Sequence, residues 1–455
     1  MFDLREAFAW ITDGVLYGNP STPVAGVATD SRSVPPHSLF VALRGERFDG
    51  HDFITTAQAS GAAAVLLERW VEGARRPVIR VPDTRRALGE IARGWRSRVQ
   101  TPIVTITGAN GKTTVKEMLA AILAEAFGAD RRLATRGNLN NEIGVPLTLL
   151  QLRAAHRAAA IELGTNHPGE IAWLASLARP DVALVTNAQR EHQEFLAGAE
   201  GSARENGASI AALGADGIAV FPGDDPQAHI WRAGAGARRC IEFGLAAEPG
   251  RFEVHAAEDA LAARFALAIG NSVFTVRLPV PGRHNVRNAL AAAACAHALA
   301  IDTEAIRRGL ESFSPPPGRL ATVLLADGTT LIDDSYNANP DSALAAIEVL
   351  AGFAGRRVLV LGDMGETGAQ GPDFHHEIGA HARARGIDHL HALGPASREA
   401  VAAFGAAATH HDDVGGLTAA CRDLSGPDTT ILVKGSRFMR MERVVQALSG
   451  ASVDA

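Results

Sequence analysis

The chain has 455 residues and a formal net charge of −6, with 47% hydrophobic and 21% charged residues. This length predicts two to four domains, and the composition excludes a disordered chain. A negative net charge also argues against a nucleic-acid-binding protein, which would carry a basic stripe. We find neither a signal-peptide pattern at Met1 nor an apolar run of spanning length. We therefore expect a cytoplasmic protein that neither inserts into a membrane nor binds nucleic acid.

The first segment is predicted to be a small α/β domain over residues 1–82. Short apolar runs at 38–43 ("SLFVAL"), 62–68 ("AAAVLLE") and 78–82 ("VIRVP") are typical of strands between helical pieces. The segment 84–100 ("TRRALGEIARGWRSRVQ") then predicts an amphipathic helix that leads into the next domain.

The second domain is predicted over residues 83–313. Its segment 102–108 ("PIVTITG") is a β-branched run that ends at glycines, and an apolar pattern with helical spacing follows it. The segments 158–164 ("AAAIELG") and 182–188 ("VALVTNA") repeat the strand pattern. Strands that alternate with helices predict a mostly parallel sheet.

The third domain is predicted over residues 314–455, after the proline cluster "SPPPGRL" at 314–320. Its strand candidates are 355–368, 387–394 and 429–436, separated by alanine-rich helical segments, which predicts a Rossmann-like doubly wound domain. The fold class is therefore a three-domain α/β protein with a frayed C-terminus.

The segment 107–114, "TGANGKTT", is close to a phosphate-binding loop but does not match G-x-x-x-x-G-K-[ST], because Ile106 stands where the first glycine belongs. Two glycines still allow several N–H groups to point at one anion, and the following helix adds its positive end. The alternative to a phosphate-binding loop is an ordinary Gly-Lys helix start that binds no ligand. The candidate ATP-binding residues of this loop are Gly108, Ala109, Asn110, Gly111, Lys112, Thr113 and Thr114.

Magnesium ligands are expected where strands of the same sheet end, since ligands bind at the carboxyl ends of parallel strands. Glu162 lies inside an apolar run, where an unpaired carboxylate would be costly, and His192 follows the strand at 182–188. Thr113 is the third candidate. Oxygen ligands suit Mg²⁺ better than imidazole does, so His192 is the weaker candidate on chemistry alone.

Three later motifs carry polar side chains suited to a nucleotide. Asn288 in "GRHNVRNALAAAA" (282–294) is expected at the exposed start of a helix, where it contacts adenine or, like Asn285, caps the helix. Arg319 offers a guanidinium fork for phosphate or is a solvated hinge residue. In "LIDDSYNANPDS" (331–342), one of Asp333 and Asp334 is expected to bind ribose hydroxyls and the other to cap a helix.

Taken in order, the motifs "TGANGKTT", "GNLNNEIGVP", "GRHNVRNALAAAA", "PGRL", "IDDSYNANP" and "VLVLGDMGETG" resemble those of the Mur ligase family. The N-terminal segment 29–53 extends the resemblance over essentially the whole chain. It implies an ATP- and Mg²⁺-dependent amide ligase of peptidoglycan precursor synthesis. The implied substrates are UDP-N-acetylmuramoyl-tripeptide, whose carboxylate becomes an acyl phosphate, and D-alanyl-D-alanine, whose amine captures it.

The resemblance also assigns roles to individual residues. Lys112, Glu162, His192 and Arg319 are the implied catalytic residues; Thr113, Glu162 and His192 hold the metal; Asn288, Arg319 and Asp334 join the phosphate loop in binding ATP. It also implies that Ser31 and Arg32 bind the UDP-sugar nucleotide and that Asn138, Asn140 and Asn141 line the tripeptide channel. Independently of the resemblance, we expect Lys434, Ser436 and Arg437, at the end of a strand, to contact the dipeptide.

Two departures from the family pattern stand out. His37 occupies a turn position where the family usually has glycine, and Asn206 stands where the family often has a carbamylated lysine. The chain has only three lysines, at 112, 116 and 434. We therefore predict an enzyme that works without a carbamate, with Asn206 anchoring a metal-bound water and Glu205 adding charge.

Two other functions remain open at this point: a folylpolyglutamate-type or other Mur-type amide ligase, and a regulatory P-loop ATPase that does not ligate. The first is disfavoured by the N-terminal domain, and the second leaves the metal ligands and the third domain unused. The three scattered cysteines, Cys240, Cys295 and Cys421, predict reduced and mostly buried thiols. We expect a monomer.

Overall fold

The structure is a computed structural model that describes residues 1–191, 194–196, 198–245, 255–256 and 261–450. It is an α/β protein whose three main sheets follow one another along the chain, and they define an N-terminal, a central and a C-terminal domain. The domain boundaries at residues 82 and 313 stay a prediction. The expected frayed end at 451–455 lies outside the described residues.

The N-terminal domain is built on a sheet with the strand order β2-β7-β6-β5-β4, parallel except for the pairing of β2 with β7. Every residue of its central strands β5 and β6 is buried, because both faces of the sheet are covered. Its elements are β1 (Phe2–Asp3), α1 (Leu4–Trp10), β2 (Val15–Tyr17), β3 (Pro23–Val24), β4 (Gly26–Ala28), β5 (Ser38–Val41), α2 (Ile54–Ala59), β6 (Ala64–Leu67), β7 (Val78–Arg80) and α3 (Thr84–Arg98).

Two glycine positions shape this domain. A Cβ built on Gly94 of α3 would lie 2.2 Å from the Trp10 ring, so α1 can pack on α3 only where the side chain is absent. His37 has a φ of 60°, in the left-handed region that favours glycine. The backbone N–H and carbonyl of His37 are hydrogen-bonded to Gly61 and Ala25, so the turn forms with a histidine in a strained backbone conformation.

The central domain has the all-parallel strand order β13-β12-β11-β8-β10-β9, as predicted. Every residue of β8, β10 and β11 is buried, because helices cover both faces. Its elements are β8 (Ile103–Thr107), α4 (Lys112–Phe127), β9 (Arg132–Ala134), α5 (Gly144–Leu149), β10 (Ala158–Glu162), α6 (Glu170–Ala178), β11 (Val182–Val185), α7 (Gly198–Ala211), β12 (Ile218–Pro222), α8 (Ala228–Ala235) and β13 (Arg239–Phe243).

A small antiparallel sheet and two helices complete the central region. The alanine-rich helix packs against the core formed by β8, β11 and α4, where its small side chains allow close approach. The elements are β14 (His255–Ala256), β15 (Ala263–Ile269), β16 (Ser272–Leu278), α9 (Arg283–Ala298) and α10 (Thr303–Glu311).

The C-terminal domain has the strand order β17-β18-β22-β19-β20-β21, parallel except for the edge strand β17. Helices cover both faces, which is the predicted doubly wound arrangement. Its elements are β17 (Ala321–Leu324), β18 (Thr330–Asp334), α11 (Pro340–Ala351), β19 (Arg356–Gly362), α12 (Gly371–Ala384), β20 (His389–Leu393), α13 (Arg398–Phe404), β21 (Ala408–His411), α14 (Val414–Leu424), β22 (Thr429–Lys434) and α15 (Glu442–Ser449).

The cysteines form no disulfide, and Cys295 and Cys421 are buried while Cys240 is exposed. This agrees with the prediction of reduced, mostly buried thiols. Within the described ranges, none of the helices combines the length and the apolar character needed to cross a bilayer.

Candidate active site

A cleft of about 1260 Å³ lies between the carboxyl ends of the central strands and the C-terminal domain. The sheet topology places the phosphate loop, the end of β10 and the end of β22 on this cleft. Most of the predicted site residues line it, namely Ala109, Asn110, Gly111, Lys112, Thr113, Thr114, Asn138, Asn140, Asn141, Glu162, Asn288, Arg319, Asp334, Lys434, Ser436 and Arg437.

The phosphate loop between β8 and α4 needs both of its glycines. Gly108 and Gly111 have φ values of 125° and 86°, and a Cβ on Gly108 would lie 2.1 Å from the Thr186 hydroxyl oxygen. A Cβ on Gly111 would lie 2.3 Å from Asn288 Oδ1. The shortened loop therefore depends on close backbone contact with the segment after β11 and with α9.

Lys112 begins α4 and its ammonium group turns back onto the loop. It donates hydrogen bonds to the carbonyl oxygens of Gly108 (2.5 Å) and Ala109 (3.0 Å). It also forms an ion pair with Glu191, at 3.3 Å. Glu191 was not predicted, although it immediately precedes the singled-out His192. The ammonium group thus lies at the start of the helix, beside the N–H groups that suit a phosphate.

Glu162, at the end of β10, forms a small oxygen-rich cluster beside the loop. Its Oε1 atom accepts hydrogen bonds from the Thr113 hydroxyl (3.0 Å) and the Asn140 amide (2.9 Å). Its Oε2 atom is buried and has no hydrogen-bond partner among the residues that the structure describes. A buried carboxylate oxygen without a partner is costly unless a cation or a proton joins it.

Asn206 of α7 is fully buried. Its Oδ1 atom accepts from the Thr107 hydroxyl (2.5 Å) and the Gly108 N–H (2.8 Å), while its amide nitrogen donates to Glu191 (3.0 Å). Both lone pairs of the amide oxygen are therefore used inside the protein. This corrects the prediction that Asn206 anchors a metal-bound water.

The predicted contribution of Glu205 to the metal was also wrong. Its carboxylate accepts the N–H groups of Gly169 and Ile171, both at 2.8 Å. Glu205 thus stabilises the start of α6, where a negative charge is favourable.

We expected Asn288 at an exposed helix start, but it is buried and packs against Gly111 of the phosphate loop. Its amide donates to Asn285 Oδ1 (3.1 Å), and Asn285 in turn donates to the Pro281 carbonyl (2.8 Å). The first residue before α9 is Gly282, which has no side-chain cap. Neither asparagine is the predicted cap, and Asn288 borders the cleft from α9.

Asp334 and Lys434 form an ion pair of 2.7 Å at the ends of the neighbouring strands β18 and β22. Burial raises the pKa of Asp334, although Lys434 favours its ionised form. Asp333 instead accepts from the Gly318 N–H (2.9 Å) and Ser335 (3.1 Å). Asn339 caps α11, so the prediction that an aspartate caps this helix was wrong.

The remaining C-terminal candidates surround Tyr336. The guanidinium of Arg319 lies 4.3 Å from the centre of the Tyr336 ring, and that of Arg437 lies 5.6 Å from it. Ser436 is buried and joins two loops, because its hydroxyl donates to the Ala338 carbonyl (3.0 Å) and accepts the Gly365 N–H (2.8 Å). Two cations therefore border this end of the cleft beside one aromatic ring.

The three asparagines near residue 140 have different surroundings. Asn140 belongs to the Glu162 cluster, whereas the Asn141 side chain accepts the Gly144 N–H (2.9 Å) at the start of α5. Asn138 also lines the cleft. Among the described residues, the side chains of Asn140 and Asn141 are hydrogen-bonded within the protein, which leaves the Asn138 side chain as the most available of the three for a ligand.

Ser31 and Arg32 do not line the cleft, and the position of His192 is not described. Ser31 and Arg32 lie in the N-terminal domain after β4, where the exposed Arg32 folds onto Asp30 and lowers the pKa of that carboxyl to about 2. His192 lies outside the described residues.

The sequence profiles of three Mur ligase domains match the chain. They are the Mur ligase family catalytic domain at residues 23–96, the Mur ligase middle domain at 106–296, and the Mur ligase glutamate ligase domain at 318–437.

Individual proteins match almost end to end. The UDP-N-acetylmuramoyl-tripeptide–D-alanyl-D-alanine ligase of Escherichia coli is 42% identical over 443 residues, covering 96% of each chain. A crystal structure of MurF from Acinetobacter baumannii superposes with a TM-score of 0.91 at 33% identity, covering 99% of each chain. The MurF ligase of Thermotoga maritima in complex with ADP gives a TM-score of 0.82 at 27% identity, covering 93% of this chain and 97% of that one.

Proposed function

The chain belongs to the Mur ligase family of enzymes, and we propose that it joins D-alanyl-D-alanine to UDP-N-acetylmuramoyl-tripeptide with ATP as the energy source. The observation that carries the proposal is one cleft bordered by a phosphate loop on one side and by C-terminal cations on the other. A ligase needs this arrangement, because the activated carboxylate and the incoming amine must meet over the transferred phosphate. The substrates are those in the name of the Escherichia coli relative.

The phosphate loop is the proposed site of the ATP phosphates. N–H groups at the start of α4 and the Lys112 ammonium supply the positive potential that a triphosphate requires. In phosphoryl transfer the protein contributes mainly positioning and charge stabilisation. Lys112 is well placed to stabilise the γ-phosphate while the tripeptide carboxylate attacks it. Asn288, Arg319 and Asp334 complete the proposed nucleotide site.

A magnesium ion fits the oxygen cluster beside the loop. Glu162 offers a buried oxygen without a hydrogen-bond partner, and the Thr113 hydroxyl lies 3.0 Å from the other carboxylate oxygen. Such hard oxygen donors suit Mg²⁺, which keeps several of its waters. The described residues contain no cluster of three or more His, Cys, Asp or Glu side chains with metal-site geometry. The proposed ligands are Glu162 and Thr113, because of this oxygen cluster, and His192, which the family resemblance implies. The ion would neutralise phosphate charge.

The acceptor dipeptide is proposed to bind at the C-terminal side of the cleft. Arg437 is exposed there, pairs with Glu442 at 3.2 Å and carries a fork suited to a carboxylate, whereas Lys434 is buried and paired with Asp334. Arg437 is therefore a better candidate than Lys434 for direct contact, and Ser436, whose hydroxyl bonds Ala338 and Gly365, is proposed to hold this end of the cleft in shape. Ser31 and Arg32 are the proposed contacts of the UDP-sugar part, and Asn138, Asn140 and Asn141 border the tripeptide path.

An amide-formation assay tests the function. Purified protein with Mg-ATP is given D-alanyl-D-alanine and a muramoyl tripeptide nucleotide that ends in either diaminopimelate or lysine, in separate reactions. We expect one amide product and one phosphate for each ADP, and phosphate release that requires both organic substrates. Phosphate release that is equally fast without the dipeptide and the tripeptide nucleotide would point to a regulatory ATPase instead.

A further inference from the structure

Arg190 makes several polar contacts between the central and C-terminal domains. It lies in the segment after β11, next to Glu191, which pairs with Lys112. Its guanidinium donates to Asp341 at 2.7 and 3.0 Å, and its backbone N–H also donates to Asp341, at 2.7 Å. A further bond of 2.8 Å reaches Glu377. Asp341 belongs to α11 and Glu377 to α12, so one central-domain side chain binds two C-terminal helices.

The contact is also packed. The Arg190 guanidinium lies 5.3 Å from the centre of the Phe374 ring, and Phe374 is itself buried on α12. The side chains of Arg190 and Asp341 are 29% and 22% exposed, which reduces screening by solvent. A planar guanidinium that binds two carboxylates and an aromatic face fixes orientation as well as distance.

A second contact reaches the same helix end from the phosphate loop. Asn110 and Asn339 exchange amide hydrogen bonds, at 2.9 and 3.3 Å. Asn339 is the cap of α11, two residues before Asp341. The start of α11 is thus held by the phosphate loop through Asn110 and by the segment after β11 through Arg190. Both contacts border the cleft, because Asn110, Asn339 and Asp341 line it.

We infer that Arg190 is a positioning residue for amide formation, which holds the C-terminal domain at the distance where the dipeptide amine reaches the activated tripeptide. This inference rests on the proposed function. The energy-yielding phosphate sits on the central domain and the proposed dipeptide contacts sit on the C-terminal domain. A small displacement between the two domains therefore separates the reacting atoms without changing either binding site. Arg190 itself is not among the residues that line the cleft.

Steady-state kinetics of Arg190→Met test the inference. We expect kcat/KM for D-alanyl-D-alanine to fall by roughly tenfold to a hundredfold, since misplacement by about 1 Å has effects of that size. KM for ATP should change by less than about threefold, because the phosphate loop keeps its own contacts. Arg190→Lys should recover only part of the loss, because it keeps the charge but not the fork.

Arg307→Met is the matched control. Arg307 also binds two carboxylates, Glu304 and Glu311, and its side chain is 33% exposed, but all three residues belong to α10. It should lose a similar ion-pair network and keep wild-type dipeptide kinetics. Glu377→Gln with Arg190→Met completes a double-mutant cycle, in which we expect the two effects on dipeptide kcat/KM to be clearly non-additive.

Small-angle scattering of the ligand-free variants gives a readout that does not depend on activity. Arg190→Met should have a larger radius of gyration than wild type, while Arg307→Met should not. The inference would be overturned if kcat/KM fell equally for ATP and for D-alanyl-D-alanine in Arg190→Met. It would also be overturned if that variant had wild-type kinetics and the wild-type radius of gyration. If the wild-type protein forms no amide at all, the proposed function fails, and the scattering comparison still decides whether Arg190 holds the domains together.

Discussion

Replacing the buried Asn206 by leucine tests whether this side chain supports the phosphate loop. Leucine has nearly the same volume but no polar atoms. In the native protein the amide oxygen accepts from the Thr107 hydroxyl and the Gly108 N–H, and the amide nitrogen donates to Glu191 and to the Ser202 carbonyl. Asn206→Leu removes these bonds at once, together with a longer one to the Ser202 hydroxyl at 3.2 Å.

The expected cost follows from the groups left without partners. Thr107 is fully buried, and the Gly108 N–H belongs to a buried strand end. Each buried polar group left unsatisfied costs about 1–3 kcal/mol, so the two together predict a loss of roughly 2–6 kcal/mol in unfolding free energy. Glu191 keeps its bond from the Ser202 hydroxyl, at 2.9 Å, and adds little to this sum.

The measurement is urea unfolding, followed by the KM for ATP on the folded variant. We expect a lower urea midpoint and a raised KM for ATP, because the Gly108 backbone is no longer held against α7. Ser209→Ala is the control: Ser209 is equally buried on α7, but its hydroxyl is bonded to Thr105, at 2.8 Å and two residues before the loop. It should lose about 1 kcal/mol and keep its KM for ATP. An Asn206→Leu protein with the wild-type midpoint and KM would refute the reasoning.

Four further predictions concern separate sites. Lys112→Ala should lower turnover by about a hundredfold or more, because the γ-phosphate loses its cationic partner; near-normal turnover in the folded variant would contradict the loop assignment. Turnover in carbon-dioxide-depleted buffer should match that with added bicarbonate, since Asn206 cannot form a carbamate; rescue by bicarbonate would contradict this. His37→Gly should raise the unfolding free energy by roughly 0.5–1 kcal/mol in urea titrations, because glycine adopts the left-handed backbone without strain; a loss of stability would count against it. Burial lowers the pKa of His391 from 6.5 to about 4, so the unfolded chain binds a proton that the folded protein does not. The urea midpoint should therefore decrease as the pH is lowered from 6.5 to 4, and it should decrease less in His391→Gln. Equal decreases in the two proteins would show that His391 does not cause the loss of stability.

The sequence predicted the strand, tight loop and helix around residues 107–114 because the signal for them is local. A β-branched strand, two glycines and a helical pattern occupy one continuous stretch, 102–127, and the structure places β8 and α4 there. Glu162 was found for a similar reason, since a carboxylate inside an apolar run is costly unless it is used.

The support of the site was missed where the signal is not local. Asp334 and Lys434 are adjacent only because β18 pairs with β22, and strand order across a parallel sheet cannot be read from spacing along the chain. The burial of Asn206 was missed for another reason. The buried face of α7 includes the polar residues Ser202, Asn206 and Ser209, so hydrophobic periodicity does not mark it as buried.

The folded-back position of Lys112 has a consequence for selectivity among anions. Its ammonium group already has three oxygen partners in the protein, so an arriving anion competes with those partners as well as with water. The interaction energy of one small monovalent anion with Lys112 is too small to displace Glu191 and two carbonyl oxygens. A polyphosphate spread along the loop gains several N–H contacts at once and can shift this equilibrium. The resting protein is therefore expected to ignore chloride and other simple anions at cellular concentrations, while responding to nucleoside triphosphates.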